Sequence, residues 1–358
     1  MAYTTIDDPS AYFHVNLHTG NGTNNTDITF DANAGDFQPD WIWFKGRTPS
    51  AIDHALFDSS RGTTKILSTN NTNAENAQGS TLKAFNSNGF RVGDDAGDYG
   101  VNASGRTYVT WNWKSQGGST VSNSDGSITS TVQANTTAGF SIVTYTGNGS
   151  SGATIGHGLG AVPSMFIIKR RSGAEDWVVY HHKNTSAPET DHLLLNTTDA
   201  TSDSDTRFND TAPTSSLITM GNNAVINGSG STYVCYAFKE IQGYSKFSSF
   251  TGTGNADGPM VFCGFSPSWV MIKKTNNTSQ WVIHDTTRQE FNMQTRFLQA
   301  NQNAAESTSS AADLDILSNG FKLRSSDDAQ NGNGDTYIYL AFASSPLVGS
   351  DGTPCTAR

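Results

Sequence analysis

The sequence predicts an all-β protein made of three tandem antiparallel β-sandwich repeats, of a lectin-like or jelly-roll-like kind. Three observations lead to this fold class. One strand motif occurs three times, a second strand motif recurs with the same spacing, and the composition is rich in turn-forming Ser, Thr, Asn and Gly. The chain has 358 residues, which suits two or three domains of ordinary size.

The first motif is a proline followed by an apolar run that ends in lysine. Its copies begin at Pro39, Pro163 and Pro267, which are 124 and 104 residues apart. The copies read PDWIWFKG, PSMFIIKR and PSWVMIKK. Apolar and β-branched runs of this length, bounded by proline and charge, are typical of strands buried on both faces. Each copy therefore predicts a strand that closes a core, which the rest of its repeat covers.

The second motif is a strand that closes each repeat. It begins at Thr107, Thr232 and Thr336, which are 125 and 104 residues apart. Two separate markers thus share one period, which indicates an internal repeat. With more than 100 residues, each copy is long enough to form a core of its own rather than one rung of a solenoid.

The markers divide the chain. We predict a first repeat at 1–114, a linker rich in Gly, Ser, Asn and Thr at 115–137, a second repeat at 138–241, a third at 242–344 and a polar tail at 345–358. No long linker separates the second and third repeats, so they should share an interface. The first repeat, in contrast, is expected to be placed independently.

Short apolar runs between turn residues predict six or seven strands in each repeat. In the first repeat they cover 13–18, 28–30, 41–45, 55–57, 81–85, 89–92 and 107–113. In the second they cover 140–145, 165–169, 177–181, 192–195, 216–220 and 232–238, and in the third 246–250, 269–273, 281–284, 296–299, 321–323 and 336–343. The linker has one further candidate at 127–132, and 50–57 and 293–305 could each hold a helical turn or two.

The charge balance disfavours some partners. The net charge of −10 argues against a nucleic-acid partner, which needs clustered Lys and Arg. The densest basic run, 169–171, is interpreted as a solvated strand end. There is no apolar run of 18 residues, so we predict no membrane partner. The first residues do not have the pattern of a signal peptide, so we expect synthesis in a cytosol.

The metal candidates are five aspartates on two Gly- and Ser-containing loops, which could supply oxygen ligands for Ca²⁺. They are Asp94, Asp95, Asp98, Asp327 and Asp328. The matching loop of the second repeat has Gly221-Asn222-Asn223 and no acid. A site that the fold requires should occur in all three copies, so solvated turns are the preferred interpretation, and we predict no cofactor other than this calcium alternative.

Aromatic residues in or near the strands are candidates for binding sugar rings, because alternate side chains of a strand face outward. They are Trp111, Trp113, Trp177, Trp281, Tyr180 and Tyr236. Aromatic residues also fill sandwich cores, and the core role is favoured.

Other reactive residues do not form a set that indicates catalysis. Cys235 and Cys263 are expected to be buried thiols, and the histidines (His14, His18, His157, His181 and His182 among them) to be structural or on the surface. No nucleophile elbow, Walker loop or dinucleotide-binding glycine motif occurs. The six glutamates do not recur across the repeats. We therefore predict a protein that is not an enzyme, and its ligand-binding residues are left open.

Three stretches carry a resemblance to a known group of proteins. They are QPDWIWFK at 38–45 with DHALFDSSRG at 53–62, NGF at 88–90 leading into VNASGRTYVTW at 101–111, and AGFSIVTYTGNG at 138–149 with IGHGLG at 155–160. Together these stretches resemble repeat-containing virion structural proteins of tailed bacteriophages, of the type found in phages of marine bacteria and cyanobacteria. The resemblance covers the first repeat and the start of the second well, and the third loosely.

The resemblance implies a component of the phage particle and brings no catalytic residues with it. We expect an external tail fibre or appendage at the virion surface, made in the host cytoplasm, with a role in attachment to a host-surface glycan. The expected partners are other virion proteins and further copies of the chain, with a trimer favoured. The alternatives are a head decoration protein that stabilises the capsid and a polysaccharide-degrading enzyme on the particle. No heptad pattern supplies a trimerisation stalk.

Overall fold

The computed structural model describes residues 3–31, 35–48, 51–95, 97 and 99–355. It confirms the predicted all-β class, since almost all regular structure in these residues is antiparallel sheet. Helices in the described part are short: α1 (Asp205–Phe208), α2 (Ala224–Asn227), α3 (Asp328–Asn331) and two 3-10 turns at Pro9–Ala11 and Ser310–Ala312. None of them is long and apolar enough to cross a membrane.

The first segment, residues 3–114, forms two facing sheets. Strands β1, β9, β3 and β4 form the larger sheet in that order, β2, β8 and β7 form the smaller one, and β5 pairs with β6 at the periphery. The strands of this segment are β1 (Phe13–Thr19), β2 (Thr26–Thr29), β3 (Trp41–Thr48), β4 (Ala55–Asp58), β5 (Lys65–Ile66), β6 (Asn76–Ala77), β7 (Leu82–Asn86), β8 (Gly89–Val92) and β9 (Thr107–Trp113).

The second segment, residues 115–241, has an eight-stranded sheet in the order β10-β11-β12-β19-β14-β15-β16-β17, faced by the pair β13-β18. Its strands are β10 (Val121–Asn123), β11 (Ser130–Asn135), β12 (Phe140–Thr146), β13 (Ala153–Gly156), β14 (Met165–Arg170), β15 (Trp177–His181), β16 (Asp191–Leu194), β17 (Ser202–Asp203), β18 (Leu217–Met220) and β19 (Thr232–Phe238). The predicted linker thus supplies two strands, β10 and β11, to this sheet. Residues 130–135 pair with 140–145 of β12, and residues 121–123 pair with 130–132 of β11.

The third segment, residues 242–346, has a six-stranded sheet in the order β20-β28-β22-β23-β24-β25, faced by β21-β27-β26. Its strands are β20 (Ser245–Thr251), β21 (Met260–Phe262), β22 (Phe265–Lys274), β23 (Trp281–Asp285), β24 (Arg296–Gln299), β25 (Ser307–Thr308), β26 (Leu314–Leu317), β27 (Gly320–Leu323) and β28 (Thr336–Pro346). The suggested helical turns at 50–57 and 293–305 are wrong, since β4 and β24 occupy parts of them and the described remainder of each range is irregular.

One arrangement of four strands occurs in all three large sheets: β1-β9-β3-β4, β12-β19-β14-β15 and β20-β28-β22-β23. The lysine-ending strand and the closing strand are paired at its centre in each case. Strand β3 is buried on both faces, as predicted, because its alternate side chains enter two different apolar clusters.

One of these clusters is shared by all three segments. Trp113, Phe238 and Phe342, which hold the same position in the three closing strands, lie with ring centroids 5.5 to 6.5 Å apart. We call this cluster the shared core. Its principal members are Val15, Trp41, Trp43, Trp111 and Trp113 of the first segment, Ile142, Met165, Ile167, Tyr236 and Phe238 of the second, and Phe247, Trp269, Met271, Leu340 and Phe342 of the third.

The opposite face of each large sheet packs on its own smaller sheet through a separate cluster. Ile42 and Phe44 illustrate this in the first segment, Ile168 in the second and Ile272 in the third. The expectation that the first repeat is placed independently is wrong, because the shared core joins it to both other segments. Trp41 stacks on Tyr236 of the second segment at 4.6 Å.

Candidate functional site

The lysine that ends each repeated strand crosses to a neighbouring segment. Lys45 Nζ donates to the Asn303 carbonyl of the third segment at 2.8 Å. Lys169 Nζ donates to Thr72 O of the first segment at 3.2 Å, and Lys273 Nζ to Thr198 O of the second at 3.0 Å. Each lysine also donates to a carbonyl of its own segment. The three segments are therefore linked in a closed cycle.

These lysines are fully buried, and burial favours the neutral form of each amine. Burial lowers the pKa of Lys45 to about 7 and the pKa values of Lys169 and Lys273 to about 8. Interpreting the basic run at 169–171 as a solvated strand end is therefore wrong for Lys169. Arg171 is also engaged, since its guanidinium pairs with Glu75 of the first segment.

A backbone hydrogen bond marks the same place in all three interfaces. The Glu75 N–H donates to Arg171 O, the Thr201 N–H to Thr275 O, and the Glu306 N–H to Arg47 O, at 2.9, 2.8 and 3.0 Å. These bonds align the residues of one interface with those of the next. The side chains at these aligned positions can therefore be compared directly.

At two of the three interfaces, aligned arginine and glutamate side chains form buried ion-pair networks. Between the first and second segments, Glu75 binds both Arg61 and Arg171. Between the third and first, Glu306 binds Arg288 and Arg47. Arg61 and Arg288 are each held by a buried aspartate three residues earlier, Asp58 and Asp285.

The two aspartates in turn reach the closing strand of the neighbouring segment. Tyr236 of the second segment donates its hydroxyl proton to Asp58 at 2.7 Å. Trp111 of the first segment donates its indole N–H to Asp285 at 3.0 Å. The aligned residue of the second segment is His181, whose ring nitrogen lies 3.4 Å from the Tyr339 carbonyl of the third segment.

The interface between the second and third segments differs in its side chains. Asn184, Thr201 and Thr275 occupy the positions that carry Arg, Glu and Arg at the other two interfaces. The Thr201 hydroxyl donates to the Asn184 side-chain oxygen at 2.7 Å. The Asn184 side-chain nitrogen is buried and has no hydrogen-bond partner among the described residues. Shorter, neutral side chains thus replace a charged network here.

A groove of about 550 Å³ opens at this interface. Thr185 and Thr201 line one side, and Ser249, Asn276 and Thr336 line the other. Its remaining lining residues include Lys183, Asn184, Thr275, and the stacked pair Phe250 and Tyr337, whose ring centroids are 5.1 Å apart. We call it the 2–3 groove, and it is the candidate functional site.

The 2–3 groove lies at the end of the strands that is remote from the contact between Asp7 and Ser350. Asp7 and Ser350 are hydrogen-bonded to each other at one end, through the Ser350 N–H at 2.6 Å. The groove residues Thr251, Thr275 and Thr336 lie at the opposite ends of β20, β22 and β28.

The loops at the groove end are built alike in the three segments. A buried asparagine, Asn102, Asn227 or Asn331, accepts a backbone N–H from the Gly-rich turn of its segment. Its side-chain nitrogen donates to carbonyls on both sides of the loop. Each loop is thereby fixed to the end of its sheet by several hydrogen bonds.

A family described as a domain of unknown function, DUF7483, matches residues 8–346. The chain belongs to this family. The match is continuous across all three segments, so the family unit includes the shared core and the interfaces between segments. No curated protein matches the chain. No solved structure matches it.

Among the described residues, the predicted calcium ligands do not come together as one site. Asp327 caps α3 by accepting the Ala329 N–H at 2.8 Å, and Asp328 pairs with Lys274. Asp95 accepts the Gly97 N–H at 2.9 Å, Asp94 is exposed, and Asp98 lies outside the described residues. Within the described ranges, no three His, Cys, Asp or Glu side chains are grouped as metal ligands would be.

The aromatic candidates for sugar binding are buried. Trp111, Trp113, Trp177, Trp281, Tyr180 and Tyr236 are each at most 4% exposed. The core role that the sequence favoured for them is confirmed. The groove aromatics Phe250 and Tyr337 were not among them, although both belong to motifs that recur in the three segments.

Two of the three cysteines and the histidines lie inside the protein, whereas Cys355 is exposed. Cys235 and Cys263 are buried as predicted, and burial raises the pKa of the Cys263 thiol to about 12. Burial also lowers the pKa of every histidine in the chain, to about 4 for His18 and about 3 for His181. These groups are held neutral inside the protein.

Proposed function

We propose that the chain is a structural protein of a bacteriophage virion, which forms an external fibre or appendage and attaches to a glycan of the host surface. The resemblance of residues 38–62, 88–111 and 138–160 to phage virion proteins supports this proposal. The role is one of binding and structure rather than catalysis. In keeping with it, the buried carboxylates Asp58 and Asp285 are each saturated by an arginine and a further donor.

The observation that carries the proposal is that the two ends of the three-segment body differ. Asp7 and Ser350 are hydrogen-bonded to each other at one end, where Thr4 also donates its hydroxyl to Gln242 O of the third segment. The opposite end holds three similarly built loops and the 2–3 groove. A particle-bound protein needs such a division between an attached end and a displayed end.

We further propose that the segments are three tandem β-sandwich repeats arranged around a pseudo-threefold axis. The recurrence of the strand order, the buried lysines and the interface hydrogen bonds supports this arrangement. The apolar face of each large sheet is already covered by the shared core. Copies of the chain would then associate, with a trimer favoured, through the outer surfaces of the three segments. Contacts with other virion proteins would use the same outer surfaces.

Immunogold labelling of intact phage with antibody to the purified protein tests this function. We expect gold at the tail or at discrete protrusions from the particle. Gold spread evenly over the head would contradict the appendage and favour a head decoration protein. Absence of label from all particles would overturn the virion proposal. Preimmune serum from the same animals is the matched control.

A further inference from the structure

We propose that the 2–3 groove is a saccharide-binding site, and that its ligand is an oligosaccharide with an anionic substituent. The inference rests on the proposed attachment role and gives it a location and a ligand class. It starts from the comparison of the three interfaces. The aligned positions hold Arg61, Glu75 and Arg171 in one interface and Asn184, Thr201 and Thr275 in the grooved one.

The difference in side-chain size accounts for the space. Arginine reaches three atoms further from the backbone than asparagine and four further than threonine, and glutamate reaches two further than threonine. In the first–second and third–first interfaces these longer side chains meet in ion pairs of 2.8 to 3.2 Å. The smaller residues leave a groove of about 550 Å³ at the aligned place, within the range of ligand pockets.

The chemistry of the lining selects the ligand class. Thr185, Thr201, Thr251 and Thr336 bring hydroxyl groups to the lining. The Thr185 and Thr201 hydroxyls already donate to Asp191 and Asn184, so they meet a ligand as acceptors, and the Thr336 hydroxyl is shared with Thr275. Asn276 adds an amide, although its oxygen and nitrogen are partly used by the Thr336 N–H and by Asp335. A ligand that carries many hydroxyl groups matches such a surface better than an apolar molecule does.

Phe250 supplies the apolar part of the site, because its half-buried side chain lines the groove. It lies parallel to the fully buried Tyr337, with 12° between the ring planes, so Tyr337 supports the ring from behind. Aromatic surface beside a few polar groups is the usual composition of a ligand pocket. The C–H faces of a pyranose ring pack on aromatic surface, while its hydroxyl groups reach the threonines.

Two groups of the groove are not satisfied by the protein itself. Asn184 is 93% buried, and its side-chain nitrogen has no partner in the described part of the chain. An unpaired buried amide is costly, so a ligand oxygen at this place is favourable. Lys183 is exposed at the groove and forms no ion pair among the residues described. Lys183 is the charged residue of the lining, and we take it as the partner of an anionic group on the saccharide.

The test is binding of the full chain to an array of uronic-acid and neutral oligosaccharides, followed by calorimetry with tetragalacturonate and maltotetraose. We expect tetragalacturonate to bind at least threefold more tightly than maltotetraose. Lys183→Met should abolish that preference, because it removes the cation at the groove. Lys239→Met is the matched control, since it removes one positive charge near the opposite end and should leave binding unchanged.

A second variant fills the groove without removing the fold. The double change Thr201→Glu and Thr275→Arg introduces the ion pair that Glu75 and Arg171 form at the first–second interface. We expect it to keep the unfolding temperature of the parent and to lose at least tenfold in affinity for tetragalacturonate. Unchanged affinity in this variant, or no binding of any acidic oligosaccharide on the array, would overturn the proposal. Equal affinity for an unstructured acidic peptide would overturn the saccharide class.

These outcomes are separate from those of the particle experiment. Calorimetry uses the isolated chain and does not depend on where the protein lies on a virion. A protein that labels protrusions but binds no oligosaccharide would keep the appendage role and lose the groove site. A protein that binds oligosaccharide but labels no particle would keep the site and lose the virion role.

Discussion

At the scale of single residues, the interior holds a large number of titratable groups in neutral or paired form. All eight histidines have a pKa lowered mainly by burial. His54 shows how such a group is used, since its ring bonds Trp43 on one side and carbonyls of the third segment on the other. For five of the rings (His14, His157, His182, His192 and His284) a carboxylate raises the pKa, but burial lowers it by more.

The first prediction concerns pH. Because the folded pKa of each histidine lies below its unfolded value near 6.5, the unfolded chain binds more protons as pH falls. The full contribution to stability is present above pH 6.5 and is lost as pH falls toward the folded values, about 4 for His18 and His284 and about 3 for His181. At pH 5, each of these costs up to about 2 kcal/mol.

Urea unfolding at intervals from pH 7.5 to pH 5 measures this effect. Carboxylates with ordinary pKa values titrate mostly below that range, and Lys45, with a pKa of about 7, contributes only at its upper end, so histidine dominates below pH 6.5. The variant His284→Gln removes one titrating ring, and its free energy of unfolding should depend on pH more weakly, by one proton. A free energy of unfolding that stays constant over the range would contradict the prediction.

At the scale of elements, the turn that follows β4 and the turn that follows β23 each connect two segments. Asp58 ends β4 and Arg61 follows in the turn, with both side chains fully buried. Asp285 and Arg288 repeat this arrangement after β23. Because the arginine is enclosed, the pair acts as a fixed connector between the sheet edge and the adjoining segment.

The second prediction concerns this connector. Arg61→Met should lower the free energy of unfolding by about 3 to 5 kcal/mol, because it leaves the Asp58 carboxylate buried with one fewer partner. Urea unfolding at pH 7.5 measures the change. The double variant Asp58→Asn with Arg61→Met should recover part of the loss, since no uncompensated charge remains.

Arg91→Met is the matched control for the connector. Arg91 pairs with Asp27 through two hydrogen bonds, but both side chains are more than 40% exposed. Solvent screens such a pair, so its loss should produce no measurable change in stability. If Arg61→Met behaves like Arg91→Met, the connector does not stabilise the interface.

The comparison with the sequence is most informative at this scale. Apolar runs predicted the long central strands closely, as with β9 and β19, because burial on both faces leaves a strong local pattern. Short edge strands such as β6 and β17 have exposed polar residues and leave no such pattern. Their pairing depends on neighbouring strands that are distant in the sequence.

The 2–3 groove was not predicted, because it is formed by residues from two segments whose alignment appears only in three dimensions. One signal was present in the sequence. Asp58 and Arg61 recur as Asp285 and Arg288 but are replaced by His181 and Asn184 in the second segment. A paired motif kept in two repeats and lost in the third marks the interface that differs.

At the scale of the whole molecule, the shared core determines how the chain unfolds. Trp41, Trp111 and Trp269 contribute to a cluster that no single segment completes. Removal of one segment would expose the apolar faces of the other two. The three segments should therefore unfold together, although each also has a smaller cluster of its own.

The last prediction follows from this coupling. Urea unfolding of the full chain should give one transition, with the same midpoint by tryptophan fluorescence and by far-ultraviolet circular dichroism. Phe57→Ala, in the cluster that belongs only to the first segment, should lower the free energy of unfolding by about 3 to 5 kcal/mol. If the three segments unfold together, Phe57→Ala lowers the urea midpoint of the single transition. In a chain of independent repeats it would split off an early phase that involves about a third of the dichroism signal.

Trp41→Ala, in the shared core, should shift the transition without splitting it, because Trp41 packs on Tyr236 of the second segment. An early phase in either variant would mean that the segments fold separately and that the interfaces are secondary contacts.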